Sequence, residues 1–421
     1  DMDASNPLNG ETSPAPKSLM RLKQLAAILV LLLVSPLAFA GEVTFMHQIQ
    51  RVGGIVFPGS DTQKFLVATG YGALSVEPNG RVTQLSNKAG FLTELMAPPS
   101  SPNILFSSGY RSKTKKLGVI RSDDGGVSWS RISNGAHGPV AFHSMAISPI
   151  NPATMYGAET DVQVSHDHGK TWTSRGEPPA QLFDIAASAK EPKTLYAATR
   201  TGLYRSADEG ASWNLAHPGK HPAPMVHVTP DGKIYAFLYG LGLVVGDEPG
   251  SAWQLVSDKF AGRALIDLAI DPADPQRMLA VADTGAMMQS RDSGRNWHSF
   301  EGQLDQTPAR IKAGRELYNE NCQACHGSKG IGEKPDDPGA TDENGLPLAP
   351  ALDDSAHGWH HGDAQLRATI LNGSPRNERM IPWKDQGLSD DDARNLVAYI
   401  KSLWNFRSQA CQGSRHMRCM H

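Results

Sequence analysis

The sequence predicts a multidomain chain: an all-β propeller of six blades, with seven as the alternative count, followed by a small all-α domain. Three observations predict it. The pattern S-x-D-x-G-x-x-W recurs at Ser122, Ser165, Ser206 and Ser290. Alternating apolar runs flank each copy, and helical patterning, in Ala309–Asn321 and Ser389–Trp404, belongs to the last part of the chain.

The first three copies start 43 and 41 residues apart, and the 84 residues from Ser206 to Ser290 leave room for one more. Gly246-Asp247-Glu248-Pro249-Gly250-Ser251-Ala252-Trp253 is that copy in worn form, with acid, glycine and tryptophan in register. A fainter one, Val76–Thr83, keeps only Gly80. Six repeats thus run from Val52 to Phe300, and four short strands per repeat make one propeller blade. Val43–Arg51 reads as a strand helping to close the ring, or as part of a seventh blade. The copies resemble the Asp-box, or BNR, repeat of sialidase-like β-propellers. In that hairpin turn Asp and Ser side chains bond turn amides, Gly takes a conformation closed to other residues, and Trp packs beneath. The box aspartates are therefore structural, and no catalytic residue is assigned.

Aligning the innermost strands on their Ile-Ala-x-x-Pro-like core puts Gly54, Glu94, Ser144, Asp184, Met225 and Asp267 at equivalent positions. Strand alternation turns such a ring one way, toward the channel mouth. Glu94, Asp184 and Asp267 are the candidate channel site for a cation or polar ligand; carboxylates that merely cap turns are the plainer reading. His143 and His227, near the same strands, are candidates to join a metal. Sialidases of this repeat class use an arginine triad with one member in an early Arg-Ile-Pro, from which Arg51-Val52-Gly53 departs. Glycoside hydrolysis is not expected, and Asp184 with Asp267 is the pair that would have to serve it. The repeat also resembles that of photosystem assembly factors, where it is a binding scaffold.

Further on, Cys322-Gln323-Ala324-Cys325-His326 is C-x-x-C-H, the attachment signature of a c-type haem. Two thiols three positions apart add across the vinyl groups, and the adjacent imidazole is carried over the iron. A zinc ribbon would want a second C-x-x-C, whereas the other cysteines, Cys411 and Cys419, stand at C-x7-C. The amphipathic stretch before the motif, the Gly/Pro-rich loop after it, Met380-Ile381-Pro382-Trp383 and the closing helix together resemble a class I cytochrome c over roughly residues 308 to 405. That resemblance implies one covalent haem c on Cys322 and Cys325, with His326 and Met380 as axial ligands. It also implies a backbone carbonyl near Pro350 that orients His326. The inserted Ile381, between Met380 and Pro382, is a departure from the family. His357, His360 and His361 are the competing ligands, ahead of a helix expected over Asp363–Leu371. His/Met ligation fills both axial positions and raises the potential, which favours electron transfer over chemistry on a small ligand.

Haem attachment in this family takes place outside the bacterial cytoplasm, so a periplasmic protein needs an export signal. Lys17, Arg21 and Lys23 precede an apolar core, Leu25–Val34, and an A-x-A site, Ala38-Phe39-Ala40. Residues 20–40 read as a signal peptide cleaved after Ala40, leaving no stable membrane span, with an uncleaved anchor as the alternative, and residues 1–19 as an unstructured extension or a misassigned start. The remaining divisions are 41–302 propeller, 303–308 linker, 309–405 cytochrome domain and 406–421 tail. A net charge of −3 carries no polyanion-binding signal, so no nucleic acid is expected. All four cysteines lie after residue 320, so packing must hold the propeller. In the tail, a Cys411–Cys419 disulfide suits an oxidising compartment, with copper on Cys, His and Met the alternative. Asp336, Asp337, Asp342 and Glu343 would steer a basic redox partner. The expected function is single-electron transfer, with the propeller docking a partner or presenting a substrate. The alternatives are a haem-linked oxidoreductase with its active site in the propeller, and a binding or assembly scaffold.

Overall fold

The structure, a computed structural model, describes residues 43–45, 49, 52–59, 62–86, 90–300 and 306–419. The signal peptide, the extension before it and linker residues 303–305 lie outside the described residues. Six antiparallel sheets follow one another along the chain. Their innermost strands are Val52–Val56, Phe91–Met96, Ser144–Ile147, Leu182–Ala187, Met225–Val228 and Leu265–Ile270, which number blades 1 to 6. A separate apolar cluster fills each of the six seams. Between blades 3 and 4, for example, Tyr156 and Val164 pack on Ile185 and Leu195. Blades 6 and 1 meet through Leu279, Val281 and Met287 against Val52, Ile55 and Phe65.

The boxes fold as their chemistry requires. In the copy at Ser206, the Ser206 hydroxyl donates to Asp208 at 2.8 Å and accepts from the Gly210 amide at 2.8 Å, while the Ser212 amide donates to Asp208 at 2.8 Å. Gly210 sits at φ 95°, where a side chain would be strained. The worn copy differs. Asp247 pairs directly with Ser251 across a tight hairpin, and its carboxylate bonds Lys233 at 2.7 Å rather than the turn amides. Trp253 falls within the outer strand, its indole N–H donating to the Ala216 carbonyl at 3.1 Å.

Ring closure corrects one expectation. Val43–Phe45 does not close the ring; it pairs with Arg81–Gln84 as a fifth, outermost strand of blade 1. Closure has no need of it, because blade 6 takes its fourth strand from His298–Ser299, just after its own box. The seam is instead bridged by side chains, among them Arg277, which donates to the Thr62 carbonyl at 2.7 Å.

After the propeller, α1 (Pro308–Asn321) starts on a Thr307 cap, with Pro308 in the first turn where no amide is needed. A one-turn α2 (Gln323–His326) carries the cysteine motif, and α3 (Asp363–Asn372) and α4 (Asp390–Ser402) complete the domain. Ser389 and Asp392 cap α4 reciprocally, and Asp390, Asp391 and Asp392 face its positive end. Ala393, Leu396, Val397 and Ile400 bury one face of α4, about 1.5–3 kcal/mol for each large side chain. This face packs on α1 at Gly314 and Tyr318, with the Tyr318 and Tyr399 rings 5.1 Å apart.

The tail is not an appendage. A short helix α5 (Phe406–Ala410) and a 3-10 turn, Gly413–Arg418, are linked by the Cys411–Cys419 disulfide. Phe406 and Ala410 enter the apolar cluster between blades 5 and 6, and the Phe406 and Phe260 rings are 5.0 Å apart. No helix among the described residues is long and apolar enough to cross a membrane.

Candidate functional site

The cysteine motif is fixed by the helix that leads into it. The Cys322 and His326 amides donate to Tyr318 and Cys322 carbonyls at 2.9 Å each, continuing the turn from α1. Tyr318 donates its hydroxyl to the Gly327 carbonyl at 2.7 Å, so the turn is pinned from below. Cys322 and Cys325 are unpaired thiols, and burial, followed by the nearby Cys325, pushes the Cys322 thiol up to about 11. His326 Nδ1 lies 2.8 Å from the Pro350 carbonyl oxygen, which leaves Nε2 for a ligand. Burial holds the His326 imidazole below its usual range, in the neutral form a metal ligand requires.

Met380 lies on the loop between α3 and a 3-10 turn, Trp383–Gln386. Its backbone is tied at both ends, the Met380 amide donating to Asn377 and its carbonyl accepting from Ser374, each at 3.0 Å. Gly373 permits this fold, since a Cβ there would stand 2.7 Å from the Met380 carbonyl oxygen. Leu352, Trp359, Leu366 and Met380 share an apolar cluster with Cys322 and are all partly exposed. A flat apolar ring would cover surfaces of this kind, and the thiol, imidazole and thioether donors match a covalent haem. The residues fit the group.

Sequence reading missed the clamp beside Met380. Arg379 donates to both oxygens of Glu333 at 2.9 Å and to the Pro347 carbonyl at 3.2 Å, while Glu333 accepts from the Ala349 amide at 2.9 Å. The methionine loop and the histidine-side loop are thus joined by one charge-assisted pair. Glu333 is held below the usual carboxylate range, chiefly by the Arg379 bonds. Of the acidic group expected to steer a partner, Asp337 pairs with Lys334 at 3.2 Å and Asp342 with Arg379 at 3.7 Å. Asp336 and Glu343 remain exposed.

At the propeller mouth, Glu94, Asp184 and Asp267 come from blades 2, 4 and 6, alternating with Gly54, Ser144 and Met225. They do not simply follow strand alternation. The pairing register shifts between Val52 and Gly54, Leu92 and Glu94, Leu182 and Asp184, and Leu265 and Asp267. A bulge of this kind re-aims the side chain after it. Each carboxylate therefore turns along the ring and takes up amides on the inner edges of the blades. Asp184 accepts from Ile185 N at 2.8 Å, Val226 N of blade 5 at 2.9 Å and the Ser144 hydroxyl of blade 3 at 2.8 Å. Asp267 accepts from Leu268 N at 2.7 Å and from Ile55 N of blade 1 at 2.9 Å. Glu94 accepts from Leu95 N at 2.9 Å and occupies the space a side chain at Gly54 would need.

Burial raises all three. Asp184 is pushed up to about 6, and Asp267 to about 7 with Asp184 adding repulsion. Glu94 is held well above its usual range by burial and then by Asp267 and Asp184. The box acids go the other way: hydrogen bonds from Ser212 and Ser206 hold Asp208 down at about 2. The signs combine into one prediction. Asp208 is ionised in the folded state below its unfolded pKa of about 3.9, so its contribution is full above that pH and is lost as pH falls toward 2. Asp184 and Asp267 keep protons that the unfolded chain releases, so folding weakens as pH rises from about 4 to 7. The carboxyl contribution to propeller stability should be greatest near pH 4 and fall toward pH 7, opposing His227, whose lowered pKa makes the fold gain stability as pH rises over the same range. In the triple variant Glu94→Gln, Asp184→Asn, Asp267→Asn the melting temperature should fall less, or rise more, between pH 5 and 7 than in the parent protein; an unaltered slope would locate the effect elsewhere.

The propeller histidines are also taken. His143 Nε2 lies 3.2 Å from the Leu182 carbonyl of blade 4, and His227, lowered to about 4 by burial, bonds the Leu268 backbone of blade 6. No group of three or more His, Cys, Asp or Glu is placed to hold a metal ion among the described residues. His357 and His360 lie on a 3-10 turn just before His361, and His360 stacks on His416 of the tail with ring centroids 4.7 Å apart. Cys411 and Cys419, the expected disulfide or copper ligands, are joined to each other and buried.

Residues 309–400 match the family described as cytochrome c oxidase, cbb3-type, subunit III, and residues 163–174 match the BNR/Asp-box repeat. The chain is 31% identical over 104 residues to a cytochrome bc1 complex cytochrome c subunit of Corynebacterium efficiens, covering 25% of this chain and 29% of that protein. It is 28% identical to a xyloglucanase of Paenibacillus sp over 205 residues, 44% of this chain and 19% of that one. A probable oligoxyloglucan-reducing end-specific xyloglucanase of Neosartorya fischeri is 26% identical over 216 residues, with 42% and 26% covered. The chain thus spans less than a third of each of these relatives. Similar solved structures include the GH74 xyloglucanase from Xanthomonas campestris, with TM-score 0.46, 17% identity and 61% of this chain covered against 46% of that one. Another is YCF48 from Cyanidioschyzon merolae, with TM-score 0.39, 15% identity and 59% covered against 85%. Taken with the six blades, the two family matches identify a c-type cytochrome domain at the C-terminus, following a BNR-repeat propeller.

Proposed function

We propose that the protein is a periplasmic, bacterial monohaem cytochrome that passes single electrons, with its propeller as the module that binds a partner or substrate. The observation that carries this reading is the His326–Pro350 bond beside two free thiols, with Met380 held in the same apolar cluster. Cys322 and Cys325 would attach the haem, His326 and Met380 would hold its iron, and Pro350 fixes the imidazole orientation. When bound, the haem supplies a one-electron couple. The propeller's part is supported by Phe183 and Ile266, the bulged residues beside Asp184 and Asp267, which stand exposed at the mouth with Tyr239 and Leu241. A basic redox partner would find Asp336 and Glu343 free to steer it.

Metal analysis with a pyridine haemochrome spectrum tests the proposal. One iron per chain with a low-spin c-type spectrum supports the carrier; stoichiometric copper or calcium would favour an enzyme with its site in the propeller. N-terminal sequencing of the exported protein should begin at Gly41. The relatives that are xyloglucanases keep glycoside hydrolysis as a reading to test, but here Asp184 and Asp267 spend both carboxylate oxygens on amides at the seams. Release of reducing sugar from xyloglucan oligosaccharides should stay at the level of the Asp184→Asn, Asp267→Asn variant.

A further inference from the structure

The C-terminal tail touches both sides of the seam where the propeller begins and ends. On the blade 6 side, the Thr284 hydroxyl donates to the Ala410 carbonyl at 2.7 Å, Arg418 donates to the Thr284 carbonyl at 2.9 Å, and the Ser299 amide donates to the Gln409 side chain at 2.8 Å. On the blade 1 side, Arg415 donates to the Ile49 carbonyl at 3.1 Å, three residues before that blade's innermost strand. Phe406 and Ala410 fill the cluster between blades 5 and 6 from above.

Toward the cytochrome domain the same tail is equally committed. Gln412 donates to the His361 carbonyl at 3.0 Å and to Asp363 at 2.7 Å, and Asp363 holds the buried Lys401 at 3.0 Å. His416 stacks on His360. The disulfide is the link that holds the two halves of the tail together: Cys411 is 0% exposed and Cys419 3%. Arg407 closes the loop by donating to the Cys419 carbonyl at 2.7 Å.

We propose that the disulfide-closed tail, Phe406–Cys419, is the clasp of the propeller: it ties blade 6 to the start of blade 1 in place of a shared strand, and seats the cytochrome domain on that seam. Each of the sheets is built from consecutive strands, so among the described residues no strand of one end is woven into the other, and the tail adds to the side-chain bridges at this seam, Arg277 to Thr62 and Asp267 to Ile55. Both sulfurs are buried in the folded protein, so a dithiol reductant reaches them only when the tail opens.

Hydrogen exchange on the full-length protein tests it, with blade 3 as the internal standard. In Arg415→Ala, exchange in Val52–Val56 should rise about tenfold while Ser144–Ile147 is unchanged. The double variant Cys411→Ser, Cys419→Ser should extend the effect to Leu265–Ile270 and make the segment after Trp404 susceptible to protease. Should the double variant fail to fold, Arg415→Ala alone decides. Unchanged protection of the blade 1 strand in a folded Arg415→Ala protein, or an equal loss in all blades, would overturn the proposal.

Discussion

Met380→Ala should lower the midpoint potential of the haem by roughly 0.1 V or more, within the ~0.8 V that axial ligation spans, and should let carbon monoxide or cyanide bind the iron. The direction follows from the thioether, which favours the ferrous state. The substitution removes only the side chain: the amide and carbonyl of residue 380 keep their bonds to Asn377 and Ser374, and the Arg379–Glu333 pair still anchors the loop. A potential shift can therefore be read as loss of a ligand and not as collapse of the site. Potentiometric titration and ligand-binding spectra measure it. An unchanged potential with the iron still closed would pass the axial role to a histidine, and His357→Ala, His360→Ala and His361→Ala would then be measured in turn.

The second large effect is expected at Gly314→Ala. A single methyl there would overlap the Asn395 carbonyl and stand 2.9 Å from Tyr399 Cβ, because α1 and α4 cross at backbone distance. Neither obstacle is the end of a flexible side chain, so one helix must lift away. Overpacking against backbone sits at the upper end of its usual range, about 3 kcal/mol or more, a large fraction of the 5–15 kcal/mol that holds a domain. Calorimetry should show the cytochrome transition falling well below that of the propeller, and haem attachment should drop with it. A melting temperature within a degree or two of wild type would mean that the crossing relaxes freely.

The features legible in the sequence are those whose cause is local. The S-x-D-x-G-x-x-W turns carry their own hydrogen-bond partners within eight residues, and the blade count follows from their spacing. Ser389 and Asp392 announce the start of α4 in the same way, and helix α3, expected over Asp363–Leu371, runs one residue further. Around the cysteine motif the family resemblance points to a carbonyl near Pro350, and His326 Nδ1 lies 2.8 Å from that oxygen. Features set by partners far along the chain were not readable. A bulge before Asp184 depends on how Leu182–Ala187 registers with Leu195–Thr199, so alternation alone does not show which amides the carboxylates meet. Arg379 gives no sign that its partner is Glu333, 46 residues earlier. Phe406 reads as the first residue of a tail, and only the fold reveals Phe260 beneath it.

The alternation of Glu94, Asp184 and Asp267 with Gly54, Ser144 and Met225 imposes a parity on the ring. Asp184 and Asp267 each reach for an amide on the next blade, which has no acid of its own, and Glu94 lies against Gly54 of the acid-free blade before it, so acid-bearing and acid-free blades are matched in pairs. Three pairs close without remainder. Adding or deleting one repeat would set two acid-free blades, or two acids, side by side, leaving an amide unstitched or two carboxylates in direct repulsion. A seventh repeat would therefore have to break the alternation at one seam.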